Sequence, residues 1–521
     1  MNEIILVVQL WATLTATVPA LGPLLPAEPV KNAAAETLRG DLERILRQGR
    51  LGSGAGVLIV SLDRGDTLFA HHADSALVPA SNLKLFTSFA ALHYLGPGFR
   101  YNTYLVITGP VRDGVLDGDV VLYGTGDPTL SDRFGARVLE AFADSLKAMG
   151  IREVRGDVIG DASYFSGRSI GIGWQTNYSN AIYAAPASAL SFTENVASVE
   201  VRPGAAGTQP RVRIVPGGDG IDLVNRATTV SSGRTSLSFG RSGYGGPLTV
   251  SGRITQRSGS LRYLVPVSDP AHYAAGALRE TLAARGVSVQ GVTRSVHTQE
   301  ASALAGRSLF APALGGRARV RIVAIHTSPP LLDVLEVVNK RSNNFMAEQV
   351  LRTVGRVVVG DGSVEGGTAA LTVFGRDVVQ MDSLHFRVFD GSGLSPLNRT
   401  TPKALVDLLQ FAAKSAMWEP FWRTLPQTGA RDGLRRMLGT PAEGRVWAKT
   451  GTISSVSALS GYVRTADGEM LMFSILNNRA SASSRAKRLE DQIVGRLARF
   501  DRSEGSVGAD ASAMALPVGS R

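Results

Sequence analysis

Three short stretches of the chain hold side chains whose types and spacing suit acyl transfer. Ser81 and Lys84 stand three apart in "PASNLKLFTSFAAL" (79–92), Ser342 and Asn344 two apart in "VNKRSNNFMAE", and Lys449 leads Thr450, Gly451 and Thr452 in "VWAKTGTISS". A serine hydroxyl is a poor nucleophile until a base takes its proton. Residues i and i+3 share a helix face, so the Lys84 amine can reach the Ser81 hydroxyl. To act as that base near pH 7 to 8, a lysine must titrate about three pH units below its ordinary value, a perturbation of ~4 kcal/mol. Apolar surroundings and a second cation both push that way, and Lys449 is the candidate cation. Lys449, Thr450 and Thr452 offer donors to a substrate carboxylate, and Gly451 would let a ligand backbone approach the strand. Ser342 can pass a proton to a leaving amine, and Asn344 can hold a substrate amide. The backbone N–H groups of Ser81 and Thr452 would form an oxyanion hole.

Each stretch also has a plainer reading. Alone, Ser81 and Lys84 fit an N-cap serine followed by a lysine reaching out to solvent. Ser342 and Asn344 fit a helix cap, and Lys449 fits an exposed strand residue. With so few lysines, composition predicts about one S-x-x-K match by chance. A second match, Ser484-Arg485-Ala486-Lys487, falls in an Arg-rich terminal helix and reads as surface. Order and context favour chemistry: the first stretch opens a helix after Pro79, the second sits at a helical boundary, and the third starts a strand before a hairpin. Gly167-Arg168-Ser169-Ile170-Gly171 matches a G-x-S-x-G elbow, which requires a strand before it and a helix after it. The Gly- and Asn-rich "GIGWQTNYSN" follows instead, so this segment reads as a loop. Seven histidines without an H-E-x-x-H and no cysteine speak against a zinc hydrolase, and no metal or cofactor is implied.

The elements that must position these residues come from both ends of the chain. A helix is expected over 33–48, with Leu38, Leu42, Ile45 and Leu46 on one face. A strand–turn–strand follows around Asp63-Arg64-Gly65-Asp66, then the Ser81 helix, which stops near Gly96-Pro97-Gly98. From about 99 to 314 short β-branched runs alternate with Gly, Asp and Pro, as in "VLDGDVVLYGTGDPTL", with helices over 136–149 and 271–285. Helical patterning returns over 330–355 and 402–413. A hairpin turns at Asp467-Gly468, and an amphipathic helix over 484–500 closes the pattern. At 521 residues the chain is too long for one core. The division this gives is an export signal and leader (1–32), the first part of a helix-and-sheet domain (33–98), an inserted β-rich region of one or two domains (99–314), the second part (315–500), and a disordered Ser/Gly/Ala-rich tail (501–521).

The net charge of +11 is carried mostly by arginine. No dense basic run with interleaved aromatics and no RNA-binding signature accompanies it, so nucleic acid is not an expected partner. An anionic wall polymer or lipid surface fits the charge equally, leaving peripheral wall or membrane association open. The apolar run from Ile4 to about Leu14, followed by Val18-Pro19-Ala20, reads as an export signal, although Glu3 and the lack of Lys or Arg depart from the usual start. An uncleaved anchor or a mis-assigned start is the competing reading.

S-x-x-K, S-x-N and K-T-G in this order resemble the penicillin-binding proteins. The long interval between Ser81 and Ser342 narrows the resemblance to the D-alanyl-D-alanine carboxypeptidase/endopeptidase group, class C of the low-molecular-mass forms. "GTGDPTL", "GDVIGDASYF", "SPPLLDVLEVVNKRSNNFMAE" and "DGSGLSPLNRTTP" add to it, and it covers about 33–500. Two positions depart from the pattern: Asn343 stands where an aspartate is common, and Pro396 and Leu397 stand where a basic or polar residue is more usual. The resemblance implies an α+β fold: a transpeptidase/β-lactamase-like domain with a five-stranded antiparallel sheet between helical layers. It also implies periplasmic or extracytoplasmic action on peptidoglycan stem peptides through a Ser81 acyl-enzyme, which β-lactam antibiotics would form too. The catalytic set is Ser81, Lys84, Ser342, Asn344 and Lys449, with Thr450, Gly451 and Thr452 binding substrate. Two alternatives stay open: a non-catalytic peptidoglycan-binding envelope protein, and a β-lactamase or esterase on the same fold, for which no second glutamate motif supplies a deacylating base.

Overall fold

The computed structural model describes residues 32–49, 54–135, 137–216, 221–304, 320–382, 385–478 and 483–503. The expected leader, up to residue 31, and the tail beyond 503 lie outside these residues. No helix among the described residues is long and apolar enough to cross a membrane.

Why both chain ends must meet follows from one sheet. Its five strands run in the order Thr67–His71, Ala55–Ser61, Met470–Asn478, Val456–Arg464, Val446–Ile453, every pairing antiparallel. Side chains alternate between two cores, as a period of two requires. Leu471, Phe473 and Ile475 face Leu38, Leu42 and Leu46 of the helix Ala33–Gly49 and Leu489, Ile493 and Leu497 of the helix Ser483–Ala498. Met472 and Leu476 face the other way, into a larger core with Phe86, Phe89, Leu335, Val350, Leu351, Leu405 and Leu409. Covered on both faces, the central strands read as continuous apolar runs.

The Ser81 helix, Leu83–Leu95, lies at the centre of this second core, with Leu83 through Leu92 all buried. A helix apolar around its whole circumference belongs inside a protein. Phe89 meets Phe411 and Phe421 edge-on, the favoured aromatic geometry. The helix ends at Gly96, whose φ of +78° suits glycine at a helix terminus. The expected helix over 330–355 is two helices, Leu331–Lys340 and Asn344–Val358, and the break between them carries Ser342 at φ +55°.

Among the described residues the inserted region builds two larger cores, beside a smaller one around Val106, Val121 and Ile159. One lies between a five-stranded sheet (Thr293–Val296, Val158–Asp161, Asp119–Gly124, Asn102–Thr108, Val320–Thr327) and the helices Val138–Ala148 and Pro270–Ala284. The other lies between two three-stranded sheets and gathers Val199, Val201, Val250, Ile254 and Val265. The strand Val320–Thr327 belongs to the first of these sheets, pairing with Asn102–Thr108, although it falls in the segment read from sequence as the second part of the main domain. Its sequence, Val-Arg-Ile-Val-Ala-Ile-His-Thr, marks a strand but gives no sign of which sheet recruits it. The G-x-S-x-G segment around Ser169 is irregular, followed by short 3-10 turns rather than an α-helix, and Ser484 is exposed on the terminal helix.

Candidate active site

Ser81 lies in the short 3-10 turn Ala80–Asn82 that feeds the buried helix, and Ala80 before it takes a left-handed φ of +47°. That conformation is costly for a residue with a Cβ and gathers at functional sites. Lys84, one turn on, has no exposed surface. Its Nζ stands 3.1 Å from Ser81 Oγ, 2.6 Å from Asn344 Oδ1 and 2.6 Å from the Ser392 carbonyl oxygen. Ser392 O can only accept, and so can Asn344 Oδ1, whose amide donates at 2.9 Å to Tyr183 O. A neutral amine has two N–H bonds and one lone pair. Its hydrogens go to the two carbonyl-type oxygens, so the lone pair is left for the Ser81 hydroxyl. Burial, opposed by the charges of Asp390 and Glu348, carries Lys84 down to about 7. A neutral fraction at working pH follows, as a base requires.

The facing wall is the strand Val446–Ile453. Lys449, 1% exposed, donates to Ser342 Oγ at 2.9 Å and to Thr450 O at 2.8 Å. Burial, then the charge of Lys84, hold it well below the ordinary lysine value. Burial is the first cause of the lowering at both lysines, and their nearness adds to it at Lys449. Asn82 Nδ2 donates to Lys449 O at 3.0 Å and ties the Ser81 turn to this strand. Gly451 has a different reason from the one its sequence gave. A Cβ there would lie 2.9 Å from both Pro79 O and Ser81 N, so the protein's own nucleophile turn needs the space. Thr450 is half-buried and Thr452 is exposed at the end of the wall. The helix cap in the second motif is Asn343, whose side chain accepts from Met346 N, which leaves Ser342 and Asn344 to face the lysines.

Several residues that complete this site were not singled out from sequence. Asp390 accepts from Gly393 N, Ser395 N, Asn398 Nδ2 and Trp174 Nε1, pinning the loop that presents Ser392 O. Glu348 Oε1 accepts from Gly391 N and Ser392 N, both at 2.9 Å. Gly393, at φ +79°, lets Ala80 O come so close that a Cβ would lie 1.9 Å from it. The insertion reaches in through Tyr183 and Trp174. A signal for Glu348 was present: Asn344, Glu348 and Arg352 are four apart and share one face of a helix. Nothing local marked Tyr183.

All eight residues proposed from sequence therefore lie on two facing walls, the Ser81 and Asn344 helices on one side and the Lys449 strand on the other. Among the described residues no cluster of three or more His, Asp or Glu could hold a metal. The fold is α+β, with a transpeptidase-like domain, and the site has the groups of a serine-type hydrolase. The chain belongs to the D-Ala-D-Ala carboxypeptidase 3 (S13) family, which it matches over residues 38–500. It is 35% identical to the D-alanyl-D-alanine carboxypeptidase of Actinomadura sp. over 96% of this chain and 92% of that one. It is 26% identical to D-alanyl-D-alanine carboxypeptidase DacB of Haemophilus influenzae over 81% and 85% of the two chains. In fold it resembles penicillin binding protein 4 (dacB) of Haemophilus influenzae, with a TM-score of 0.70, 24% identity, and coverage of 88% of this chain and 99% of that one. The protein is a serine-type D-alanyl-D-alanine carboxypeptidase.

Proposed function

We propose that Ser81 is the residue acylated by the penultimate D-alanine of a peptidoglycan stem peptide, with Lys84 as its base. The carrying observation is the 3.1 Å approach of Lys84 Nζ to Ser81 Oγ while two other acceptors take the remaining amine hydrogens. Ser81 Oγ attacks the carbonyl carbon as Lys84 takes its proton, and the oxyanion turns toward the N–H groups of Ser81 and Thr452. The C–N bond breaks, and the departing D-alanine nitrogen receives a proton through Ser342, which is held by Lys449. Water then attacks the ester and restores Ser81. Asn344 holds the substrate amide; Lys449, Thr450 and Thr452 face its terminal carboxylate, and Gly451 keeps the wall closed on the nucleophile. The same acylation by a β-lactam leaves no departing amine, because the amide nitrogen stays tethered in the opened ring.

The reading extends to cross-links between D-alanine and a diamino acid, cut by the same steps. It also places the protein outside the cytoplasm, where the apolar N-terminal run would send it and where its basic surface would meet an acidic wall. The catalytic domain is then formed by about 33–98 and 315–500, interrupted by the β-rich insertion.

The test is intact mass after exposure to benzylpenicillin, beside Ser81→Ala. One drug equivalent on Ser81, absent from the variant, with D-alanine released from a stem peptide by the parent protein alone, is the expected result. Wall binding that survives Ser81→Ala, with no adduct on the folded parent, would replace this reading with a binding protein. Rapid loss of the adduct without D-alanine release would replace it with a β-lactamase.

A further inference from the structure

Beneath the catalytic lysine lies an acid that the reaction as written does not use. Glu348 is 1% exposed. One of its oxygens takes both the Gly391 and Ser392 N–H groups at 2.9 Å, and the other takes Arg352 Nη1 at 3.1 Å. The peptide it grips is the one whose far end, Ser392 O, receives Lys84 Nζ at 2.6 Å. Thr87 Oγ1 donates to Gly391 O at 2.7 Å, so the same peptide is held from the Ser81 helix as well. The fit leaves no slack: a Cβ on Gly391 would lie 2.8 Å from Ala347 O and from Leu351 Cβ. Along the helix Asn344–Val358, Asn344 touches Lys84 directly and Glu348, one turn on, reaches it through this loop.

Resting on the reading of Lys84 as the base, we propose that Glu348 is a positioning residue: it fixes the Gly391–Ser392 backbone so that the Ser392 carbonyl turns the Lys84 lone pair onto Ser81. Its carboxylate acts in a second way, by charge. Lys84 is faced by Asp390 from the loop, Glu348 from the Asn344 helix and Lys449 from the strand, and the two acids raise its pKa against burial. Burial and then Asp390 push the Glu348 carboxyl up, while Arg352 and the hydrogen bonds to the Gly391–Ser392 loop hold it down; Arg352 is faced in turn by Glu365 and Asp390. Removing the Glu348 charge therefore lowers the Lys84 pKa, and the acid limb of the acylation rate moves to lower pH.

The plain competitor is that Glu348 only neutralises Arg352. Acylation by benzylpenicillin as a function of pH separates the two, measured on the parent, Glu348→Gln, Glu348→Ala, and Glu348→Gln combined with Arg352→Met, which leaves no guanidinium unpaired. Glutamine keeps an oxygen for the two N–H groups and loses the charge; alanine loses both. The expected result is an acid limb shifted down by about half a pH unit or more in Glu348→Gln, and by less in the double variant, which loses the Arg352 charge as well. The plateau rate of Glu348→Ala should lie about tenfold or more below that of Glu348→Gln. An unmoved limb in folded Glu348→Gln, with plateaus equal between Glu348→Gln and Glu348→Ala, overturns the proposal. If the parent itself forms no Ser81 adduct or shows no acid limb near pH 7, the reading of Lys84 as base fails first, and the two failures are thus told apart.

Discussion

The sheet that carries Lys449 and the insertion's small sheet of Leu223–Val230, Leu248–Thr255 and Ser236–Gly240 are built to different standards of burial. Val456–Arg464 buries every residue but Arg464, and Ala55–Ser61 buries all seven. Leu223–Val230 buries Ala227 and Thr229 alone, and Ser236–Gly240 buries none. Helices cover both faces of the first sheet, whereas this small sheet packs one face on the core that gathers Val250 and Ile254 and turns the other toward water. The difference matters chemically. Two lysines can be held below their ordinary pKa only where water is excluded, and the doubly covered domain supplies that exclusion. The insertion supplies positioning from the side, through Tyr183 O on Asn344 and Trp174 Nε1 on Asp390.

This contrast can be attacked in order of expected effect. Lys84→Met keeps the volume of the dry domain and removes its base; the acylation rate by stopped-flow should fall by ~10²–10⁴. A retained rate would deny that the dry core does chemistry. In the parent protein the same rate should climb about tenfold per pH unit below pH 7 and level off above it. The sign follows from Lys84, whose pKa is lowered to about 7: the amine is protonated and idle below that value and neutral above it. A limb near pH 10 would mean the site is wet. Gly451→Val drives a side chain into Pro79 O and Ser81 N, and should cost about 1–3 kcal/mol in denaturant unfolding together with slower acylation. Trp174→Phe removes the insertion's hydrogen bond to Asp390 and should cost ~1 kcal/mol, with a modest loss of acylation rate. Arg285→Ala breaks an exposed pair with Asp144 inside the insertion. Its effect should stay within about 0.5 kcal/mol and leave acylation unchanged. A large effect there would erase the distinction between the two regions.

Much of the dry domain could be read locally. The leucines at 38, 42 and 46 and at 489 and 497 have helical spacing, and the hairpin at Asp467-Gly468 announces itself by composition. The insertion was harder. Its short strands are legible as strands, but their partners are not, because a half-covered strand carries no mark of which sheet it joins. Val320–Thr327 pairs with Asn102–Thr108, a partner more than two hundred residues away that nothing in its own stretch names. Asp390 escaped because a buried acid looks like any acid until its donors are known, whereas Glu348 was marked by its spacing from Asn344 and Arg352.

By itself the sequence determined the chemistry available: a serine and a lysine one turn apart, a second serine and an asparagine at a helix break, and a lysine at the head of a Thr-Gly-Thr strand. Spacing of three or four residues is set by helix geometry alone, so such pairs need no fold to be recognised. The tertiary structure decided which of these meet and in what protonation state. Lys84 finds Asn344 260 residues away and Ser392 308 residues away, and Asn82 finds Lys449 across 367. Those approaches, and the burial that brings Lys84 to about 7, come only from packing two ends of the chain into one sheet. Desolvation is a property of the surrounding volume, which no local stretch of sequence specifies.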